Sequence, residues 1–355
     1  MSPLLIFGAI VSLSRLAAGA NHALIIDTSR LWTNYRHSSN VLSIYSVVRQ
    51  LGIPDSRISL MVPGDIPCNP VNAEAGQVFH TRGRNLFTQV DSDYKGEEIT
   101  RDTISRLITN RHLPWTPRHR RLASAPDSKV LIFMTGHSGV GFAKIQDLDE
   151  FHAADIADIL KEMEIVHRYD KLLWVGDTCR AASLHNEFYS DNVIAVGSSQ
   201  DRQSSYSRHG DRGLGVSVVD RFSYHTEELL SKAFLSKRNF SMSIEEFSSK
   251  FTHAMLMSDV SLRTDALSGT ETLADFLTDT DEVIDFHLAV GIWKNAEPAS
   301  RLIEDRSVQL DLRMRHKVKN SFSVEPKKLH EKRWSWNWIS GGLLSIVFIT
   351  SVFIS

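Results

Sequence analysis

The chain has 355 residues, 42% of them apolar, with a formal net charge of −2 and a pI near 6.7. That size and apolar content support one large globular domain or two ordinary ones. The near-neutral charge excludes a global basic field for nucleic acid and the acidic excess of a disordered chain.

Residues 1–20 read as a signal peptide: the apolar run 4–13 is short, and Ala18-Gly19-Ala20 is a small-residue cleavage pattern. A buried first helix is the alternative. Short apolar runs at 23–26, 58–62, 130–135, 172–176 and 193–196 predict buried parallel strands. Between the first two, Val41, Ile44, Tyr45, Val48 and Leu51 form a helical stripe that Gly52 ends. Residues 64–95, rich in Pro, Asn, Gly and Asp, predict a long loop. A second loop, 114–128, carries Pro114, Pro117 and Pro126 with Arg118, His119, Arg120 and Arg121. Ile156, Leu160 and Met163 mark another helix, and 212–234 predicts a third. Alternating strands and helices imply an α/β fold with a mostly parallel sheet, right-handed crossovers and functional groups at the strands' carboxyl ends.

Asn239-Phe240-Ser241 is an N-glycosylation sequon. Residues 296–337 read as a stalk. Residues 338–354 are uncharged, with Trp334, Trp336 and Trp338 at their start and Lys327, Lys328, Lys332 and Arg333 before them. They read as a transmembrane helix. A GPI-attachment signal, with small residues near Ser321 and Ser323, is the competing reading.

Two cysteines, Cys68 and Cys179, cannot build a disulfide framework. The third strand runs into Thr135-Gly136-His137-Ser138-Gly139 and the fourth into Gly176-Asp177-Thr178-Cys179. Neighbouring strands would bring His137 and Cys179 together on one edge. An imidazole beside a thiol raises its nucleophilic fraction at neutral pH. The backbone N–H groups of Ser138 and Cys179 could form an oxyanion hole. An inert buried thiol and a structural histidine are the alternative to that pairing. The histidines otherwise show no metal-ligand spacing.

Several blocks carry a more specific signal. Residues 29–37 (Ser-Arg-Leu-Trp-Thr-Asn-Tyr-Arg-His) resemble the S-R-x-W-x-N-Y-R-H signature of GPI transamidase catalytic subunits. So do Leu51-Gly52-Ile53-Pro54-Asp55-Ser56, Cys68-Asn69-Pro70, Met134-Thr135-Gly136-His137, Asp177-Thr178-Cys179, Ser198-Ser199-Gln200 and Arg263-Thr264-Asp265, in this order over about residues 21–290. That family is related to legumain and the caspases. The resemblance implies a caspase–hemoglobinase-like catalytic domain over 21–295, with Cys179 as nucleophile, His137 as base and Asn34 orienting the base. Ser198 and Ser199 would wall a pocket for a small residue. Cys68 would bridge to a partner subunit. Asp55, Asp91 and Asp93 resemble calcium-binding carboxylates; calcium would be structural, with no cofactor needed for the chemistry.

The implied activity is transfer of a lumenal proprotein from its C-terminal signal to the ethanolamine phosphate amine of a GPI lipid. The implied setting is a multisubunit complex in the endoplasmic reticulum membrane, with a single span and the catalytic domain in the lumen. No nucleic acid is expected. The chain departs from the family pattern at Ser138, where G-H-G-G has glycine, and at Arg180, where D-T-C-Q has glutamine. Two other functions compete: a legumain-type endopeptidase, and an inert surface protein that is itself GPI-anchored.

Overall fold

Each apolar run becomes a strand with almost no exposed residue. In the computed structural model, residues 19–278 are described, apart from 82–83, 89, 236–241 and 265–270. They all fall in the first of two compact units, Met1–Asn295; the second, Ala296–Ser355, is outside them. Signal residues 1–18, Asn239, Asp265, the stalk 296–337 and the tail 338–354 lie outside the described residues. Among those described, no helix is long and apolar enough to cross a membrane.

The chain begins with β1 (His22–Asp27) and passes through α1 (Tyr35–Gln50) to β2 (Ile58–Val62) and the two-residue β3 (Tyr94–Lys95). Then follow α2 (Arg101–Thr109) and β4 (Lys129–Thr135). A small antiparallel sheet of β5 (Ser138–Gly139), β6 (Phe142–Ile145) and β7 (Asp149–His152) leads into α3 (Ala153–Ile165) and β8 (Lys171–Asp177). After α4 (Ala182–His185) come β9 (Val193–Gly197), the hairpin β10 (Ser207–Asp211) and β11 (Val216–Asp220), and α5 (Arg221–Leu235). The described part closes with α6 (Ile244–Ser249), α7 (His253–Leu256), β12 (Ser261–Arg263) and α8 (Leu273–Leu277).

The main sheet has the order β12-β9-β8-β4-β1-β2-β3, parallel throughout except for β12 against β9. Successive side chains of a strand point to opposite faces. Ala23, Ile25, Leu131 and Phe133 therefore pack with α1, α5, α6 and α8, while Leu24, Ile26, Val130, Ile132 and Met134 pack with α2, α3 and α4. A strand buried on both faces must be apolar at every position, which is why these runs are continuous rather than alternating.

Residues 212–220 depart from the predicted helix. Asp211 Oδ1 accepts the N–H groups of Gly213 (2.7 Å) and Leu214 (3.1 Å), and Gly215 takes φ +71°. Val216, Val218 and Val219 then continue as strand, where β-branched residues fit. Helix starts only at Arg221. The β5–β7 sheet was not predicted, since its strands are short and mostly polar.

Candidate active site

The last residue pair of β4 and β8 is Thr135 with Asp177. His137 and Cys179 each follow two residues later, so equal steps carry both beyond the carboxyl edge of adjacent central strands. β1 is β4's other neighbour, and beyond its end a single 3₁₀ turn (Trp32–Asn34) brings in Asn34. Three successive strand ends thus supply Asn34, His137 and Cys179. The strand-to-histidine bend needs Gly136: its φ is +150°, and a Cβ there would lie 2.0 Å from Thr28 Oγ1.

His137 has a determined tautomer. Asn34 Nδ2 donates to the Arg30 carbonyl at 2.6 Å. A carbonyl only accepts, so the amide orientation is fixed and Oδ1 faces His137. His137 Nε2 lies 2.9 Å from that Oδ1; it must carry the proton, which leaves Nδ1 with the lone pair. Burial lowers the His137 pKa; Arg36 and Lys144 push the same way and Asp147 opposes. The neutral, base-competent imidazole is therefore favoured below the usual histidine range.

Hydroxyl groups pin the Cys179 backbone on both sides. Upstream, the Thr178 carbonyl accepts from Ser199 Oγ (2.8 Å) and Ser198 Oγ (3.3 Å), and Thr178 N donates to Ser198 Oγ at 3.1 Å. Downstream, the Cys179 carbonyl accepts from Ser138 Oγ, and Arg180 N donates to the Gln203 carbonyl at 2.8 Å. In a trans peptide the N–H points opposite to the preceding carbonyl. The two serines on the Thr178 carbonyl thereby aim the Cys179 N–H away from themselves, and it has no partner among the described residues. It is a free, oriented donor. Cys179 Sγ rests 3.9 Å from the Ser205 carbonyl.

The two departures from the family pattern have distinct outcomes. Ser138 is absent from the positive-φ positions, so this place does not demand glycine. Its hydroxyl instead joins the two catalytic loops, bonding the Cys179 carbonyl and lying 2.8 Å from Thr178 Oγ1. Arg180 does adopt φ +52°, a left-handed conformation uncommon for a bulky side chain. Ser198 and Ser199 are both fully buried. Gly197, just before them, pairs with Gly176, which sets them beside the Cys179 turn.

A buried polar network behind His137 escaped the sequence reading. Its pieces were visible only as Arg36 and His37 of one block and Asp177 of another. His37 Nδ1 lies 2.7 Å from Ser29 Oγ, its Nε2 lies 3.6 Å from Asp220 Oδ2, and its ring meets His137 edge-on with centroids 5.0 Å apart. Asp220 takes Arg36 Nε at 3.2 Å and Asn40 Nδ2 at 2.7 Å. Asp177 accepts from Ser205 Oγ (2.9 Å) and Ser223 Oγ (2.6 Å). Burial raises all the carboxyls here: Asp220 to about 7, with Asp177 adding to the push, Asp27 to about 6, and Asp177 upward. Burial holds His37 well below the usual range.

Each carboxylate of the acidic set has a protein partner. Tyr45 donates its hydroxyl to Asp55, Asp91 pairs with Lys95 at 3.0 Å, and Asp93 accepts the Leu60 N–H at 2.9 Å. Burial lifts Asp93 to about 6, with Asp55 and Asp91 contributing. Among the described residues, no three His, Cys, Asp or Glu side chains are placed to hold a metal ion. Asp55 and Asp91 both lie within electrostatic reach of Asp93. Cys68 is exposed and carries a free thiol on the loop between β2 and β3.

A cysteine with a free oriented N–H, next to a histidine whose lone-pair nitrogen is set by an asparagine, defines a cysteine-peptidase type of site. The chain belongs to the Peptidase C13 family, whose model matches residues 21–270. It is similar to the GPI-anchor transamidase of Saccharomyces cerevisiae, 38% identical over 74% of this chain and 65% of that protein. The GPI-anchor transamidase of Schizosaccharomyces pombe is 44% identical over 62% and 59%, and that of Homo sapiens 42% over 60% and 54%. The matches thus span less than two thirds of these relatives' own length. Among solved structures, caspase-1 from Spodoptera frugiperda aligns with a TM-score of 0.43 at 9% identity, over 75% of this chain and 93% of that one.

Proposed function

We propose that this protein is a cysteine-dependent GPI transamidase. The observation that carries the reading is the Asn34–His137 bond of 2.9 Å, which leaves Nδ1 as base at the strand end beside Cys179. The names of its relatives add the acceptor. The Cys179 thiol gives its proton to His137 Nδ1 and attacks the carbonyl at the attachment residue. The Cys179 N–H, with that of Ser138, receives the developing oxyanion. His137 returns the proton to the departing amine, which releases the C-terminal signal and leaves a thioester. The ethanolamine phosphate amine then attacks the thioester, loses a proton to His137, and forms the amide as the thiol is restored. Transfer in place of hydrolysis requires water to be kept out or the amine to be well bound.

The reading places the catalytic domain in the lumen of the endoplasmic reticulum, with residues 338–354 as a membrane span and residues 1–20 as a removed signal. Partner subunits complete the complex, one of them joined through the exposed Cys68 thiol. Calcium at Asp55, Asp91 and Asp93 is left out of the mechanism.

Cys179→Ala, expressed in cells depleted of their own enzyme, is expected to abolish surface display of GPI-anchored proteins; continued display would sink the assignment. Hydroxylamine separates transfer from proteolysis: hydroxamate product supports the transferase, and free acid alone supports a legumain-type peptidase. On a non-reducing gel, Cys68→Ser should remove a mixed-disulfide band seen with the parent chain. Absence of that band in the parent ends the bridge idea.

A further inference from the structure

The second basic loop has no part in the chemistry above. It precedes β4, and Arg168 precedes β8, so both belong to the amino edge of the sheet, opposite the catalytic edge. An open pocket of about 540 Å³ lies there, with Arg118, Arg121 and Arg168 among its lining, together with Asn110, Thr116 and Ser124. No carboxylate lines it.

Two of the guanidinium groups are held rigidly by neutral acceptors. Arg121 Nε donates to the Thr116 carbonyl at 2.9 Å, and its Nη2 to the carbonyls of Pro114 (2.9 Å) and Leu113 (3.2 Å). Arg168 Nη2 donates to the Leu122 carbonyl and, at 3.3 Å, to Ser124 Oγ, while its buried Nε has no partner. The Arg118 guanidinium has no hydrogen-bond or ion-pair partner among the described residues. Nearby Arg111 and Arg120 are paired, with Glu162 (2.6 Å) and Glu98 (2.7 Å); the three pocket arginines have no such acid. The field is felt next door: burial, then Arg121 and Arg168, lower the His112 pKa, and no acid opposes them.

The charge is therefore preorganised and uncompensated, with donors left over for an anion. The rim adds a second character. Trp115 is 76% exposed and Leu113 58% exposed, on the same loop. An indole and a leucine beside arginines is the composition of a membrane–water interface. We propose that this pocket binds the phosphate of an anionic phospholipid headgroup, with Trp115 and Leu113 entering the lipid surface beside it.

The test uses the full chain in a neutral detergent, with soluble dihexanoyl phosphatidylserine, dihexanoyl phosphatidylcholine and inorganic phosphate as probes. Thermal melting reads binding. Phosphatidylserine should raise the melting temperature saturably, and increasing salt should weaken it. Arg118→Glu, at an exposed side chain, should weaken phosphatidylserine binding about tenfold. Trp115→Ser should weaken binding of the lipid but not of phosphate. Equal effects of phosphatidylcholine and phosphatidylserine would overturn the proposal. So would an unchanged affinity in Arg118→Glu, or inorganic phosphate binding as tightly as the lipid. In the last case the pocket is a phosphate site without a lipid role.

Discussion

Replacing Asn34 tests the reasoning on the base most directly. Asn34→Ala removes the acceptor 2.9 Å from His137 Nε2 and opens the imidazole to both tautomers. In the ground state the lost bond is a neutral one. In the transition state His137 becomes a cation, and a hydrogen bond to a charged group is worth about 1.5–3 kcal/mol against about 0.5–1.5 for a neutral one. Only the difference between the states, about 1–1.5 kcal/mol, slows the reaction, so the fall in kcat/KM should be about 5- to 15-fold. Asn34→Asp keeps an acceptor but adds a negative charge, which favours the imidazolium. The pKa of His137 then rises by about 1–3 units, and the acid limb of kcat/KM moves to higher pH. The assay is conversion of a reporter proprotein by membranes carrying the full chain, with hydroxylamine as acceptor, between about pH 5 and 8. Thermal melting of each variant separates misfolding from a catalytic loss. Wild-type kcat/KM in Asn34→Ala, or an unmoved acid limb in Asn34→Asp, would refute the tautomer argument.

Three more outcomes follow from the same geometry. Ser138→Ala should lower kcat about fivefold with KM unchanged, since one hydrogen bond to the Cys179 carbonyl is lost; Ser138→Thr, which keeps the hydroxyl, should recover most of it. Gly136→Ala places a Cβ against Thr28 Oγ1 at a positive φ, and should cost on the order of 3 kcal/mol in denaturant unfolding. Asp27, raised to about 6, binds its proton more tightly folded than unfolded, so its contribution falls as pH rises from the unfolded carboxyl range through about 6. The melting temperature of wild type relative to that of Asp27→Asn should accordingly fall between about pH 4.5 and pH 7.5, by the same linkage; a difference that does not change with pH contradicts the buried-acid reading.

The central sheet was legible because burial on both faces requires unbroken apolar runs, and the runs at 58–62, 130–135 and 172–176 match β2, β4 and β8 to within a residue at either end. The β10–β11 hairpin was not, because the Asp211 turn and the Gly215 conformation are local effects that a helical periodicity count ignores. Ser198 and Ser199 show the same limit at the site. Their proximity to the nucleophile could be inferred from strand order, but which way the hydroxyls turn depends on the register of Gly197 with Gly176.

The sequence by itself determined the parallel sheet, the candidacy of Asn34, His137 and Cys179, and the blocks that tie the chain to its family. These depend on residue types and spacings, which are written directly in the chain. Only the tertiary structure decided which nitrogen of His137 holds the lone pair, which N–H of the Cys179 turn is free, and that the arginines of the second loop gather without an acid. Each of those depends on groups far apart in sequence meeting in one orientation, and hydrogen-bond direction and charge compensation exist only once the fold has brought them together.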